Sequence, residues 1–153
     1  MAMLLFVLTL ALGAGIATAS VTNFLPRVRA AFDTRKSIAE ALSATIASSG
    51  VAAAVGQYRR LKLAEPAAYN FDEDELNRLG YDLIRGRRFD QAIRIFELNI
   101  EAYPNSGNVY DSLAEAYMDD GDKSLAIAYY RESLQHNPKN QNAVNMLQKL
   151  NAP

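Results

Sequence analysis

Residues 73–106 read EDELNRLGYDLIRGRRFDQAIRIFELNIEAYPNS, and residues 107–140 read GNVYDSLAEAYMDDGDKSLAIAYYRESLQHNPKN. Laid one above the other, the two stretches repeat at an interval of 34 residues. Leu79-Gly80 falls on Leu113-Ala114, Leu83 on Tyr117, Ala92 on Ala126, Phe96 on Tyr130 and Pro104 on Pro138. The register runs on, since Leu76 maps onto Tyr110 and then Val144, and Leu113 maps onto Leu147. A fixed period of this length marks one supersecondary unit stacked on copies of itself.

Each copy reads as a pair of helices. Asp72-Glu73-Asp74-Glu75 opens the first with an Asp cap, a Glu three residues later and acid at the positive helix end. Leu76, Leu79, Gly80, Leu83 and Ile84 recur at helical spacing. Gly86 ends that helix, Arg87-Arg88 fill the turn, and the next helix starts near Asp90. Its buried stripe is Ala92, Ile93, Phe96, Ile100 and Tyr103, and Pro104-Asn105-Ser106 stops it. The second copy uses Tyr110, Leu113, Ala114 and Tyr117, a turn at Asp120-Gly121-Asp122, then Leu125, Ala126, Tyr129, Tyr130 and Leu134, with His136-Asn137-Pro138 as the stop. Gly80 and Ala114 are small where the two helices of a pair cross, with Ala92 and Ala126 as their partners. A large side chain there would push the axes beyond the ~8–10 Å of close-packed helices. Phe96 and Tyr130 are read as filling the space between units. Gln141 to Leu150 gives a last helix, with Val144, Leu147 and Leu150 inward and Asn142, Asn145, Gln148 and Lys149 facing water, as the end of a solenoid requires.

The period and the pattern Leu79-Gly80, Leu83, Ala92, Phe96, Pro104 resemble the tetratricopeptide repeat, and the resemblance covers about half of the chain. It implies an all-α fold, a right-handed α-solenoid of antiparallel helix pairs, with two clear repeats (73–106 and 107–140) and a capping helix (141–153). Partners in that family lie in the concave groove lined by the first helix of each pair. The corresponding outward residues are Asn77, Tyr81, Ile84 and Arg85, then Asn108, Asp111, Glu115, Met118 and Asp119, then Asn142, Asn145 and Lys149. Tyr81 and Met118 are large apolar groups on a face read as exposed, which points to a partner. Some family members grip a C-terminal carboxylate with Lys and Asn. The corresponding positions hold Asn77 and Tyr81, then Asp111 and Glu115; the two acids would repel a carboxylate, so the groove calls for a neutral or basic segment.

Upstream, residues 33–72 read as a degenerate first pair. Asp33 or Thr34 caps a helix carrying Ile38, Leu42 and Ile46; Ser48-Ser49-Gly50 turns the chain; and Val51, Ala54, Tyr58 and Leu61 mark a helix ending before Pro66. Four extra residues, near Tyr69 to Asp72, separate this pair from the repeats. Residues 20–32 read as a linker. Met3 to Leu12 is apolar apart from Thr9, and Ala17-Thr18-Ala19 has the small-x-small pattern of signal peptidase cleavage. Residues 1–19 are therefore read as a signal peptide, although Met1-Ala2 carries no Lys or Arg. The run is short of the ~20 residues a spanning helix needs. The expected location is periplasmic or secreted, with an N-terminally anchored form as the alternative.

A second resemblance spans Lys36 to Leu150. It rests on Lys36-Ser37-Ile38-Ala39-Glu40, Gly50-Val51, Gln57-Tyr58-Arg59, Glu75-Leu76-Asn77 with Leu79-Gly80-Tyr81, and Ala102-Tyr103-Pro104-Asn105-Ser106 running on to Val109-Tyr110-Asp111-Ser112-Leu113. These resemble the C-terminal helical extension of bacterial serine β-lactamase-like hydrolases. The resemblance implies an accessory or detached domain of such an enzyme, with the hydrolase as one candidate partner.

The chemistry of that enzyme is missing from the sequence. No Ser is followed by Lys at Ser-x-x-Lys spacing, and no Gly-x-Ser-x-Gly elbow occurs. The chain has no Cys, which excludes disulfides, thiolate metal sites and a cysteine nucleophile. His136 alone cannot build a histidine metal site and is read as complementing a helix C-terminus. Asp119, Asp120 and Asp122 miss the spacing and the distal Glu of a calcium loop. Arg85, Arg87 and Arg88 read as a solvated turn. A net charge of −1 and the absence of nucleotide or nucleic-acid motifs give no pull toward nucleic acid. The charge is uneven, however: from Ser20 to Phe71 seven basic residues face three acidic, and from Asp72 to Pro153 nine face fourteen. The reading is a non-catalytic protein-interaction module without cofactor or metal, binding a protein or peptide. It would touch a membrane only through an uncleaved N-terminus, and it leaves room for homo-oligomers.

Overall fold

The computed structural model describes residues 34–151. The signal-peptide and linker readings, and Asp33, lie outside them. Among the described residues seven helices follow one another: α1 (Ile38–Ser49), α2 (Val51–Ala64), α3 (Glu73–Arg85), α4 (Phe89–Ala102), α5 (Gly107–Asp120), α6 (Lys123–His136) and α7 (Gln141–Asn151). Within pairs α1 packs on α2, α3 on α4 and α5 on α6; between pairs α4 packs on α5 and α6 on α7, with α1 on α3, α2 on α4 and α3 on α5 beside them. The result is an all-α solenoid of antiparallel helix pairs. No described helix is long and apolar enough to cross a membrane.

The first pair departs from its sequence reading. Its helix starts at Ile38 with Ser37 as cap, not at Asp33 or Thr34, and the Ser37 side chain accepts from Glu40 N. The residues just before it form a short strand, β1 (Lys36–Ser37), parallel to β2 (Tyr69–Asn70). The four residues counted as an insertion near Tyr69 to Asp72 thus supply the second strand. Phe71 follows, edge-on to Tyr58 at 5.3 Å, and its carbonyl accepts from the Tyr103 hydroxyl at 2.5 Å.

Glu75 also differs from its reading. In a capping box it would return to the amide of Asp72. That amide donates instead to Asn70 Oδ1 at 2.9 Å. Glu75 Oε2 turns to the first pair, accepting from Ser37 Oγ at 2.5 Å and Ala39 N at 3.1 Å. One carboxylate from α3 therefore satisfies the N-terminus of α1, where negative charge is favoured. The charge asymmetry of the halves is realised beside it, where Arg59 grips Glu101 through Nε at 3.1 Å and Nη2 at 2.6 Å.

The small-residue crossings are tight. Gly80 is buried, and a Cβ there would stand 2.5 Å from Phe96 Cε1 and 2.8 Å from Cε2. Phe96, read as filling the space between units, thus presses against its own pair. Ala92, Ala114 and Ala126 are fully buried. Gly107 is a close approach that the sequence reading missed. A Cβ there would meet Ser133 O at 2.8 Å, and Ser133 Oγ donates to Gly107 O at 2.7 Å. One repeat earlier, Asn99 Nδ2 donates to Glu73 O at 3.1 Å. Both polar residues are fully buried, so in these two repeats the second helix pins the first residue of its partner helix.

The buried stripes are wider than helical spacing alone predicts. Helix α4 lies among α2, α3 and α5, so Ile95, Leu98 and Asn99 are buried beside Ala92, Ile93 and Phe96. Leu125, expected in the buried stripe of α6, is 39% exposed. In α7, Ala143 and Leu150 are buried, while Val144 and Leu147 are only half-buried.

Candidate functional site

The candidate surface is the face shared by α3, α5 and α7. The structure closes much of it with hydrogen bonds inside the chain. Asp111, expected to point outward, is 8% exposed. Asn140 Nδ2 donates to its Oδ1 and Asn142 Nδ2 to its Oδ2, each at 2.9 Å. The cause is the docking of α7. Asn140 Oδ1 accepts from Asn142 N at 3.1 Å and Ala143 N at 3.3 Å, capping that helix, while its amide reaches back to Asp111 and to Ser133 Oγ. Asn140 falls at the position of Asp72 and Ser106 in the 34-residue period, so the helix-cap signal was present in the sequence.

Tyr81, expected as an exposed aromatic, is half-buried. Its ring meets Phe96 edge-on at 5.3 Å, and its hydroxyl donates to Glu115 Oε2 at 2.6 Å with Ser112 Oγ 3.1 Å away. Burial, and then the Glu115 carboxylate, push the phenol well above the usual tyrosine range. Met118 and Ile84 are likewise half-buried, Met118 against the Ala114, Ala126 and Tyr130 cluster and Ile84 against the larger core. The apolar groups that suggested an exposed patch are therefore largely packed.

The remaining candidates form a polar rim. Asn77 is half-buried and accepts from Asn99 Nδ2 at 3.2 Å. Asn108 is exposed and donates to Glu73 Oε1 at 2.7 Å. Arg85 pairs with Asp82. Asn145 accepts from Gln141 Nε2 at 2.9 Å, and Lys149 and Asp119 are exposed. Asn142, read as solvent-facing, is a bridge: the nitrogen that donates to Asp111 also donates to Glu115 Oε1 at 2.8 Å.

Two carboxylates on successive turns of α5 thus share one amide, and neither forms an ion pair with a cation among the described residues. Beneath them the fully buried Tyr130 hydroxyl has no hydrogen-bond partner. Burial, and then Glu115, Asp111 and Asp119, push its phenol above the usual range. This part of the face is a field of negative charge held by amides and phenols. No described group of three or more acidic or histidine side chains is placed to hold a metal. Asp122 acts as a cap, accepting from Leu125 N at 2.9 Å, after Gly121 in the left-handed region at φ 96°.

Residues 107–140, from the start of α5 to the cap of α7, match the family model of the tetratricopeptide repeat. Among solved structures the chain is similar to the first TPR of Spaghetti (RPAP3) bound to the HSP90 peptide SRMEEVD, at 18% identity and a TM-score of 0.50, covering 74% of this chain and 86% of that one. It is also similar to the TPR domain of P58(IPK), at 22% identity and a TM-score of 0.47, covering 74% of this chain and 32% of that one. No curated protein matches. At these identities the likeness to the first structure speaks for the fold.

Proposed function

We propose that the chain is a non-catalytic protein–protein interaction module that takes a basic segment of a partner along the face of α3, α5 and α7. The observation that carries this is the Asp111–Asn142–Glu115 cluster, two carboxylates with no cation of the chain's own among the described residues. The Spaghetti domain is bound to SRMEEVD, a peptide with three carboxylate side chains. Asp111 and Glu115 would repel such a ligand and attract its opposite, raising association rate more than final affinity. The test is affinity capture from the cell that makes the protein, followed by calorimetry on the partner's segment. A basic segment is expected, bound more weakly as salt rises and several-fold more weakly by Glu115→Gln. Capture of an acidic tail, or binding indifferent to Glu115→Gln, would overturn the reading.

The Ala17-Thr18-Ala19 pattern favours export with cleavage after Ala19. N-terminal sequencing of the mature protein should begin at Ser20; a chain starting at Met1 in the soluble cytosol would exclude export. The second reading, an accessory or detached domain of a serine β-lactamase-like hydrolase, rests on the residues from Lys36-Ser37 to Ser112-Leu113. It predicts that the captured partner is a hydrolase lacking its own helical extension.

A further inference from the structure

Two large apolar side chains stand exposed among the described residues, Leu63 at 86% and Leu125 at 39%. They lie at opposite edges of the solenoid. Successive helices run in opposite directions, so the C-termini of α2 and α4 share one edge and the α5–α6 turn lies at the other.

Leu63 is one lip of a cleft of about 360 Å³ between α2 and α4, with Tyr58, Leu98 and Ala102 among its lining residues. That volume is at the small end for ligand clefts and suits an anchoring side chain. Its charged lining residues are Arg59, Lys62 and Glu101. Arg59 is committed to Glu101. The Lys62 ammonium is held above the Tyr58 ring at 5.4 Å and the Tyr103 ring at 5.7 Å, a cation–π placement that keeps it at the mouth. Arg60 is exposed, and neither it nor Lys62 forms an ion pair among the described residues.

Leu125 has the opposite surroundings. It sits in the first turn of α6, directly after Asp119-Asp120-Gly121-Asp122. Asp119 and Asp120 are exposed without a cationic partner among the described residues, against the single cation Lys123. One chain therefore carries an apolar cleft with two cations outside any described ion pair, Lys62 at its mouth and Arg60 on the same helix, and an apolar side chain just after three carboxylates in the chain, at opposite edges of the solenoid.

We infer that the occupant of the Leu63 cleft is a second copy of this chain, with Leu125 as the anchor and Asp119 and Asp120 facing Arg60 and Lys62. The two surfaces differ, so the contact is heterologous and extends head to tail into a ring or an open chain. It lies on helices α2 and α4, away from the face proposed for the partner segment, and stands independently of that proposal.

The test is sedimentation of the full chain over a range of concentration and salt. The wild type should exceed monomer mass with rising concentration and fall back in high salt, because the paired charges are exposed. Arg60→Glu with Leu63→Glu breaks the cleft; Asp120→Lys with Leu125→Lys breaks the anchor. All four positions are exposed, so helicity should be retained in both variants. Each double variant alone should self-associate at least tenfold more weakly. Their mixture should form a one-to-one complex, because one supplies an intact anchor and the other an intact cleft. A wild type monomeric at every concentration, association indifferent to both variants, or a mixture that stays monomeric would each overturn the inference. Association through the apolar N-terminal segment would give the second of these results.

Discussion

The hydroxyl of Tyr81 donates to the carboxylate of Glu115 at 2.6 Å, and the two residues occupy the same position in successive repeats. The bond ties α3 to α5 across the face where a partner is proposed to lie, and the Tyr81 ring also backs Phe96. Tyr81→Phe keeps the ring and removes the bond. A hydrogen bond to a charged group contributes roughly 1.5–3 kcal/mol. Partial solvent access to Glu115 places the expected loss near the low end, read as a lower urea midpoint with an unchanged slope. No shift in midpoint would show that the bond contributes nothing.

Gly80→Ala sets helix propensity against packing. Alanine gains up to about 1 kcal/mol in a helix interior. Its Cβ would collide with the Phe96 ring, which is fully buried and has no room to retreat. Overpacking costs about 1–3 kcal/mol, so the net effect is destabilising. Ala126→Leu overfills the equivalent crossing in the next unit, where Ala126 is fully buried, and should fall in the same range. Thermal melts decide both, and a raised melting temperature for either would contradict the packing account.

Asp111→Lys should impair folding and not merely binding. The residue is buried and holds the amides of Asn140 and Asn142, so a lysine would place a charge against them and break the junction of α5 with α7. Asp111→Ala should cost about 1.5–3 kcal/mol from the charge-assisted bonds lost, the amides keeping Ser133 and Glu115 as partners. Circular dichroism with denaturant titration separates the two. Wild-type stability of Asp111→Lys would return the residue to the surface.

Tyr130→Phe should be neutral or stabilising by up to about 1 kcal/mol. Its hydroxyl is buried without a partner, and removing an unpaired polar group removes a desolvation cost. A clear loss of stability would reveal a partner for this oxygen.

Alkaline titration should expose the buried phenols. Tyr58, Tyr81 and Tyr130 all have raised values, in each case first from burial. A raised folded-state value means that the neutral phenol is favoured in the fold. The stability involved is fully present below the unfolded tyrosine value of about 10 and is lost as pH rises from there toward the folded values. Urea midpoints should therefore fall steeply above about pH 10. Phenolate absorbance at 295 nm should rise in two stages, with the buried group titrating together with unfolding. A single stage at the ordinary value would contradict the burial.

The 34-residue period, the small residues at the crossings and the ends of the helices in the two repeats were legible in the sequence alone. Each rests on local information: helical spacing, capping residues, Gly and Pro stops, and a copy to compare with. Only the tertiary structure decided what the polar residues do. Spacing placed Asp111 on the outward stripe of its helix, and its burial comes from Asn140 and Asn142, 29 and 31 residues later. The local capping rule paired Glu75 with Asp72, and the fold gives it to Ser37 and Ala39 on another helix. Helical periodicity specifies which side chains share a face. It carries no information on the angle at which the next pair docks, and that angle determines which of those side chains water still reaches.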